Sequence, residues 1–189
     1  MRLYRSFLIP IIGSLLMPMT ASAVQYDHVD TARSSIRFVP VLMGTKTDGS
    51  FKKFTAQVRF NPDKPAQAQA RAEVDLKSFD IGFDEATDEA LGPNWFDVKR
   101  TPTATFVSTE VKALGSDRFE LAGNLTIRNQ TKPVRFPVTF THETNNTARL
   151  DGNLVIKRLD FGLGQGPWAG TSTVANDVNV QLKLFLSHQ

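Results

Sequence analysis

Run after run of this chain alternates apolar and polar residues one for one, and that period of two restricts its fold more than any other feature. Phe54, Ala56, Val58 and Phe60 alternate with Thr55, Gln57 and Arg59. Ala72, Val74 and Leu76 alternate with Arg71, Glu73, Asp75 and Lys77. Phe119, Leu121, Leu125 and Ile127 repeat the pattern around Gly123, and Val134, Phe136, Val138 and Phe140 follow. Leu150, Leu154 and Ile156 precede a last run from Val178 to Leu186. Successive side chains of a strand point to opposite faces, so each run has one dry face and one wet face. Asp48-Gly49, Asn61-Pro62-Asp63, Gly115-Ser116-Asp117, Asn129-Gln130 and Asn145-Asn146 separate the runs with residues that favour reversals. Roughly eight or nine short strands at this spacing predict an all-β fold, and connections too short for crossovers make it antiparallel. Periodicity alone leaves barrel and sandwich open.

One segment breaks the rhythm. Between Phe79 and Pro102, the apolar residues Phe83, Ala86, Ala90 and Leu91 fall at helical spacing. Asp84, Glu85, Asp88 and Glu89 crowd the first turns, where the partial positive charge of a helix N-terminus favours carboxylates. Gly92-Pro93 ends the segment. A short helix between strands reads as a flap over one end of a barrel.

The first residues read as a targeting segment. Arg2 and Arg5 precede an apolar stretch from Phe7 to Met19, and Ala21-Ser22-Ala23 supplies the small-x-small pattern of signal cleavage. The stretch is shorter than the ~20 residues of a spanning helix and is interrupted by Pro10 and Pro18. Residues 1–23 are therefore expected to be removed, leaving residues 24–189 as one exported domain, soluble beyond the inner membrane. Loss of Arg2 and Arg5 takes the net charge from +3 to +1, so the basic isoelectric point gives no support to a nucleic-acid surface. With no cysteine, the exported chain must hold together by packed side chains and backbone pairing alone. An outer-membrane barrel is disfavoured because Tyr26, Trp95 and Trp168 are too few to make aromatic girdles.

Catalytic and metal-binding patterns are weak throughout. His28, His142 and His188 are far apart, with no second ligand at metal-like spacing. The acidic residues of the helical segment lack the alternating loop of a calcium site. Gly162, Gly164, Gly166 and Gly170 precede a strand pattern rather than a helix, so they read as a rim loop and not as a phosphate cradle. No catalytic residue, metal or cofactor is expected.

Five blocks in order resemble the YceI-like family. They are Gly49-Ser50-Phe51-Lys52-Lys53-Phe54, Trp95-Phe96-Asp97 with Pro102-Thr103-Ala104-Thr105-Phe106, Gly123-Asn124-Leu125-Thr126-Ile127-Arg128 with Thr131-Lys132-Pro133-Val134, Arg158-Leu159-Asp160-Phe161-Gly162, and Asn176-Asp177-Val178. The resemblance implies a lipocalin-like, eight-stranded antiparallel barrel exported to the bacterial periplasm. It further implies a non-enzymatic carrier that binds a long isoprenoid lipid, an isoprenoid quinone or a polyprenyl phosphate, inside the barrel. Many members carry a polar residue, often histidine, where this chain has Leu42, so no polar contact to a head group is expected there.

The expected lipid-binding residues are Phe38, Leu76, Phe79, Phe83, Leu91, Trp95, Phe96 and Phe106, on strand faces and on the flap. Small residues such as Ala56, Ala72 and Gly123 would leave room for a tail. Lys99, Arg100 and Arg158 are the rim candidates for an anionic head group. The expected partners are a hydrophobic lipid, with a membrane or membrane redox protein and a homodimer as further candidates. The rival reading is an interaction module whose phenylalanines fill a solid core. An enzyme acting on a bound quinone would need convergent acid and base groups, which these apolar faces do not supply.

Overall fold

The computed structural model describes residues 24–188, so the expected signal segment 1–23 lies outside the described residues. The strands are β1 (His28–Val39), β2 (Val41–Leu42), β3 (Thr45–Lys46), β4 (Gly49–Phe51), β5 (Phe54–Arg59), β6 (Gln69–Asp75), β7 (Phe79–Asp80), β8 (Thr103–Gly115), β9 (Arg118–Ile127), β10 (Gln130–His142), β11 (Thr147–Lys157) and β12 (Asp177–Ser187). One helix, α1 (Asp84–Leu91), stands between β7 and β8. Ten strands form one sheet in the order β5-β6-β8-β9-β10-β11-β12-β1-β4-β7, and β2 and β3 make a separate hairpin. Every pairing in the sheet is antiparallel.

The expected eight or nine strands become ten because two long ones are broken. β4 runs into β5 after Lys52-Lys53, and β6 runs into β7 through the 3-10 turn Leu76–Ser78. Hydrogen bonds continue across both breaks, from Lys52 N to Ser78 O and from Asp75 N to Lys53 O, each 3.0 Å. Taking each broken pair as one stave, β1 bonds the second stave through β4, and the second bonds the third along its length. The eight staves thus curl the sheet back on itself as a lipocalin-like barrel. A last bridge, Tyr26 with Phe60, joins the start of the chain to the end of β5. Among the described residues no helix is long and apolar enough to cross a membrane.

Turn chemistry decides both ends. Ser116-Asp117 and Arg128-Asn129 adopt positive φ (52°, 59° and 50°, 59°), the mirror-image turn whose twist suits a two-residue hairpin. The reversal expected at Asp48-Gly49 occurs instead at Met43-Gly44 (φ 47° and 81°). Gly49 begins β4, and the Phe38 ring lies where a Cβ would stand. One barrel end carries the β2–β3 hairpin, α1, the Arg128-Asn129 turn and the 158–176 loop. The other carries, among the described residues, the start and end of the chain, the β5–β6 connection with its 3-10 turn Pro65–Gln67, and two short hairpin turns.

Candidate functional site

The period-two faces meet inside the barrel, but they do not fill it. At the end without α1, aromatic rings pack solidly. Tyr26 and Phe140 have centroids 5.3 Å apart, as do Phe60 and Phe140, and Phe60 and Phe119 stand at 5.1 Å and 89°. The Tyr26 hydroxyl hydrogen-bonds the exposed His142 Nδ1 at 3.2 Å, so the buried ring closes the end with its polar tip partnered. Burial pushes the Tyr26 phenol above its ordinary pKa.

Toward α1 the interior opens into a cavity of about 680 Å³. Its wall is built from β1 (Ile36, Phe38), β5 (Ala56, Val58), β6 (Ala70, Ala72, Val74), β8 (Ala104, Phe106), β9 (Leu121, Leu125, Ile127) and β12 (Val178, Val180, Leu182, Leu184). Small residues on β5, β6 and β8 leave space that leucine would occupy. Two rings are also turned against glycine. Phe38 lies over Gly49, and Phe106 lies over Gly123, where an added Cβ would stand 2.5 Å from the ring. Each ring therefore lies close against the wall and leaves the bore free.

Three pieces of chain form the roof. α1 contributes Glu85, Ala86, Glu89 and Ala90, the hairpin contributes Leu42 and Met43, and the loop contributes Leu163, Trp168, Thr173 and Val174. Met43, Glu85, Ala86, Glu89 and Thr173 are the exposed members and mark the mouth. Met43 N donates to Thr173 O at 2.8 Å, and Ala175 N to Val41 O at 3.0 Å, docking the hairpin on the loop. Trp168 Nε1 donates to Glu89 Oε1 at 2.7 Å, tying the loop to the helix.

Of the sequence-predicted residues, Phe38, Leu76, Phe79, Trp95, Phe96 and Phe106 contribute to this wall. Two do not. Phe83 sits just before α1 in extended conformation and is 62% exposed. Leu91, in the last turn, packs against the core beside the cavity instead of facing it. The helix begins one residue later than its apolar stripe suggested, so the extended backbone at Phe83 takes that side chain out of the stripe. Trp95 Nε1 is buried without a hydrogen-bond partner, beside the Trp168 ring at 6.0 Å.

The rim cations also need correction. Arg158 is 1% exposed and is not at the rim. Its Nη1 donates to Leu163 O (2.7 Å) and Gly164 O (3.4 Å), and its Nη2 to Trp168 O (2.9 Å), Gly170 O (2.7 Å) and Val174 O (3.0 Å). Nε donates to Ala175 O at 3.2 Å. Burial without a carboxylate lowers its pKa from the ordinary value, yet a guanidinium stays charged at neutral pH. Arg158 thus shapes the glycine-rich loop by holding carbonyls that would otherwise be buried without donors. Arg100 pairs with Asp97, which raises its pKa, and neither Lys99 nor Arg100 reaches the wall. Sequence reading missed Glu85, Glu89, Trp168 and the hairpin tip. The helical period carried a clue to the glutamates, whereas nothing local placed Trp168 over the mouth.

The YceI-like domain model matches residues 28–186. A UPF0312 protein of Vibrio cholerae serotype O1 is 31% identical over 173 residues, covering 89% of this chain and 80% of its own. The crystal structure of Burkholderia cenocepacia BcnA superposes with a TM-score of 0.81 at 40% identity, covering 84% of this chain and 99% of that one. A polyisoprenoid binding domain from Saccharophagus degradans superposes with a TM-score of 0.67 at 16% identity, over 87% of this chain and 98% of that one. At that identity it supports the fold alone. The matched segment runs from the first residue of β1 to the penultimate residue of β12, and the chain belongs to the YceI-like family.

Proposed function

We propose that this protein is a non-enzymatic periplasmic carrier that holds a long-chain isoprenoid lipid in its barrel. The observation that carries the reading is the roofed apolar cavity of about 680 Å³, within the ~300–1,000 Å³ of ordinary ligand sites. Each methylene moved from water into such a lining is worth ~0.8 kcal/mol, so a tail of several isoprene units overcomes the cost of ordering it. The Saccharophagus degradans domain of the same fold is a polyisoprenoid binding domain, a ligand class that suits the apolar lining of this cavity. The signal-like residues 1–23 support export. The solid-core interaction module is the weaker reading, since only one end of the barrel is solid.

Between the two lipid classes, the mouth favours an isoprenoid quinone over a polyprenyl phosphate. Arg158 is engaged by carbonyls, and Arg71, the other basic residue at the wall, by Glu73 at 2.6 Å. The carboxylates Glu85 and Glu89 belong to the mouth. A phosphate there would meet like charge, whereas a quinone head group would not. Among the described residues no cluster of ligating side chains could hold a metal, and the wall offers no paired acid and base. A membrane or membrane redox protein would be the source or recipient of the lipid.

Native mass spectrometry of protein purified from the envelope without detergent tests the reading. An added mass that fragments as an isoprenoid quinone is expected, with a change in Trp95 fluorescence when quinone is added to stripped protein. A bare mass together with an unchanged spectrum would rule out the carrier role.

A further inference from the structure

The cavity stops at a definite level on four of the staves. On β5 Val58 lines it but Phe60 does not; on β9 Leu121 does but Phe119 does not. On β10 the break falls between Phe136 and Val138, and on β12 between Leu184 and Leu186. Each pair lies two residues apart on one face of a strand, so the level is a floor and not a change of face. Below it, Phe119 meets Phe60 at 5.1 Å, and Phe60 meets Phe140 at 5.3 Å, all three at 4% exposure or less. Opposite the floor is the mouth, at Met43, Glu85 and Glu89.

From this we propose that the aromatic floor is a ruler: the ligand enters tail first past α1, and Phe119 and Phe60 set how many isoprene units are buried. The proposal rests on the lipid-carrier reading and adds to it a length limit and the residues that impose it. Affinity therefore climbs with every unit until the tail meets the floor. Further units stay outside the mouth and add nothing.

The probe is a series of benzoquinones differing only in isoprenoid tail length, titrated against the stripped full mature chain by Trp95 fluorescence. The wild type is expected to gain affinity with each added unit and then to level off once the tail reaches the floor. Phe119→Ala removes a ring with about as many carbons as one isoprene unit, and its plateau moves out by about one unit. Ala70→Leu, which fills the bore beside Val58 without emptying the core, moves the plateau the other way. This second variant keeps the test decisive if Phe119→Ala does not fold. A plateau unmoved in a variant that still binds short tails, or a wild type with no plateau, overturns the ruler while leaving the carrier standing. Failure of the wild type to bind any quinone removes the carrier reading and the ruler with it.

Discussion

The two ends of this barrel use the same residue type to opposite effect. At the closed end, Tyr26, Phe60, Phe119 and Phe140 point at one another and leave no room. At the α1 end, Phe38 and Phe106 are as large, yet they lie against Gly49 and Gly123 and leave the bore open. Phenylalanine content therefore says nothing about whether a barrel is hollow. What matters is where the rings meet: across the bore at one end, and against the wall at the other, where Phe38 stacks on Phe79 at 4.6 Å and is seated on Gly49. Dispersion contacts are lost wherever a surface faces a void, so the open end is held by other means. Its roof is tied down by the carbonyl cage of Arg158, with its six hydrogen bonds between 2.7 and 3.4 Å.

The comparison is broken most severely at Arg158. Arg158→Met leaves the carbonyls of Leu163 and Val174 buried without a donor and frees those of Trp168 and Gly170, and denaturant unfolding should show a loss on the order of 4 kcal/mol. Arg158→Lys should recover only a small part, because an ammonium has three donors and no fork.

Truncating rings then weighs the two ends directly. Phe140→Ala empties a filled site and should cost about 4 kcal/mol, whereas Phe106→Ala, which already faces the cavity, should cost about half of that. Equal losses in chemical denaturation would mean the hollow end is packed as tightly as the plug.

A smaller effect is expected at the glycine seats. Gly123→Ala places a methyl 2.5 Å from the Phe106 ring and from Val107 O, costing about 1–3 kcal/mol by overpacking. The displaced ring should also shrink the bore, seen as weaker uptake of a quinone in fluorescence titration.

Least costly is Trp168→Phe. It removes the bond to Glu89 and should change stability by about 1 kcal/mol. Its signature is kinetic: a looser roof should release bound quinone faster in stopped-flow chase, with the folded state little altered.

Much of this architecture is legible in the sequence. The inward residues of β5, β6, β9, β10, β11 and β12 are those of the alternating runs, because a pleated strand has only two faces and water decides between them. Ala56 and Ala72, read as small residues that could leave room, stand in the cavity wall, and Gly123 lies under Phe106. Phe83 and Leu91 were misplaced for a local reason. Phe83 is the extended residue before the first turn and so leaves the stripe, whereas Ala86 and Ala90 keep it and reach the cavity. Arg158 was misread because a lone arginine normally belongs to the surface; only a loop folding back with its carbonyls inward can receive it.

Alternation, turn residues and the helical break determined an antiparallel all-β chain with one short flap, since those signals act between neighbours a few residues apart. Whether the interior would be solid or hollow was decided by tertiary structure. That outcome depends on which rings from distant staves meet, as Phe60 and Phe119 do, and which fall against a glycine of the neighbouring strand, as Phe38 does against Gly49. Facing across the barrel is fixed by register and closure, which no single strand encodes.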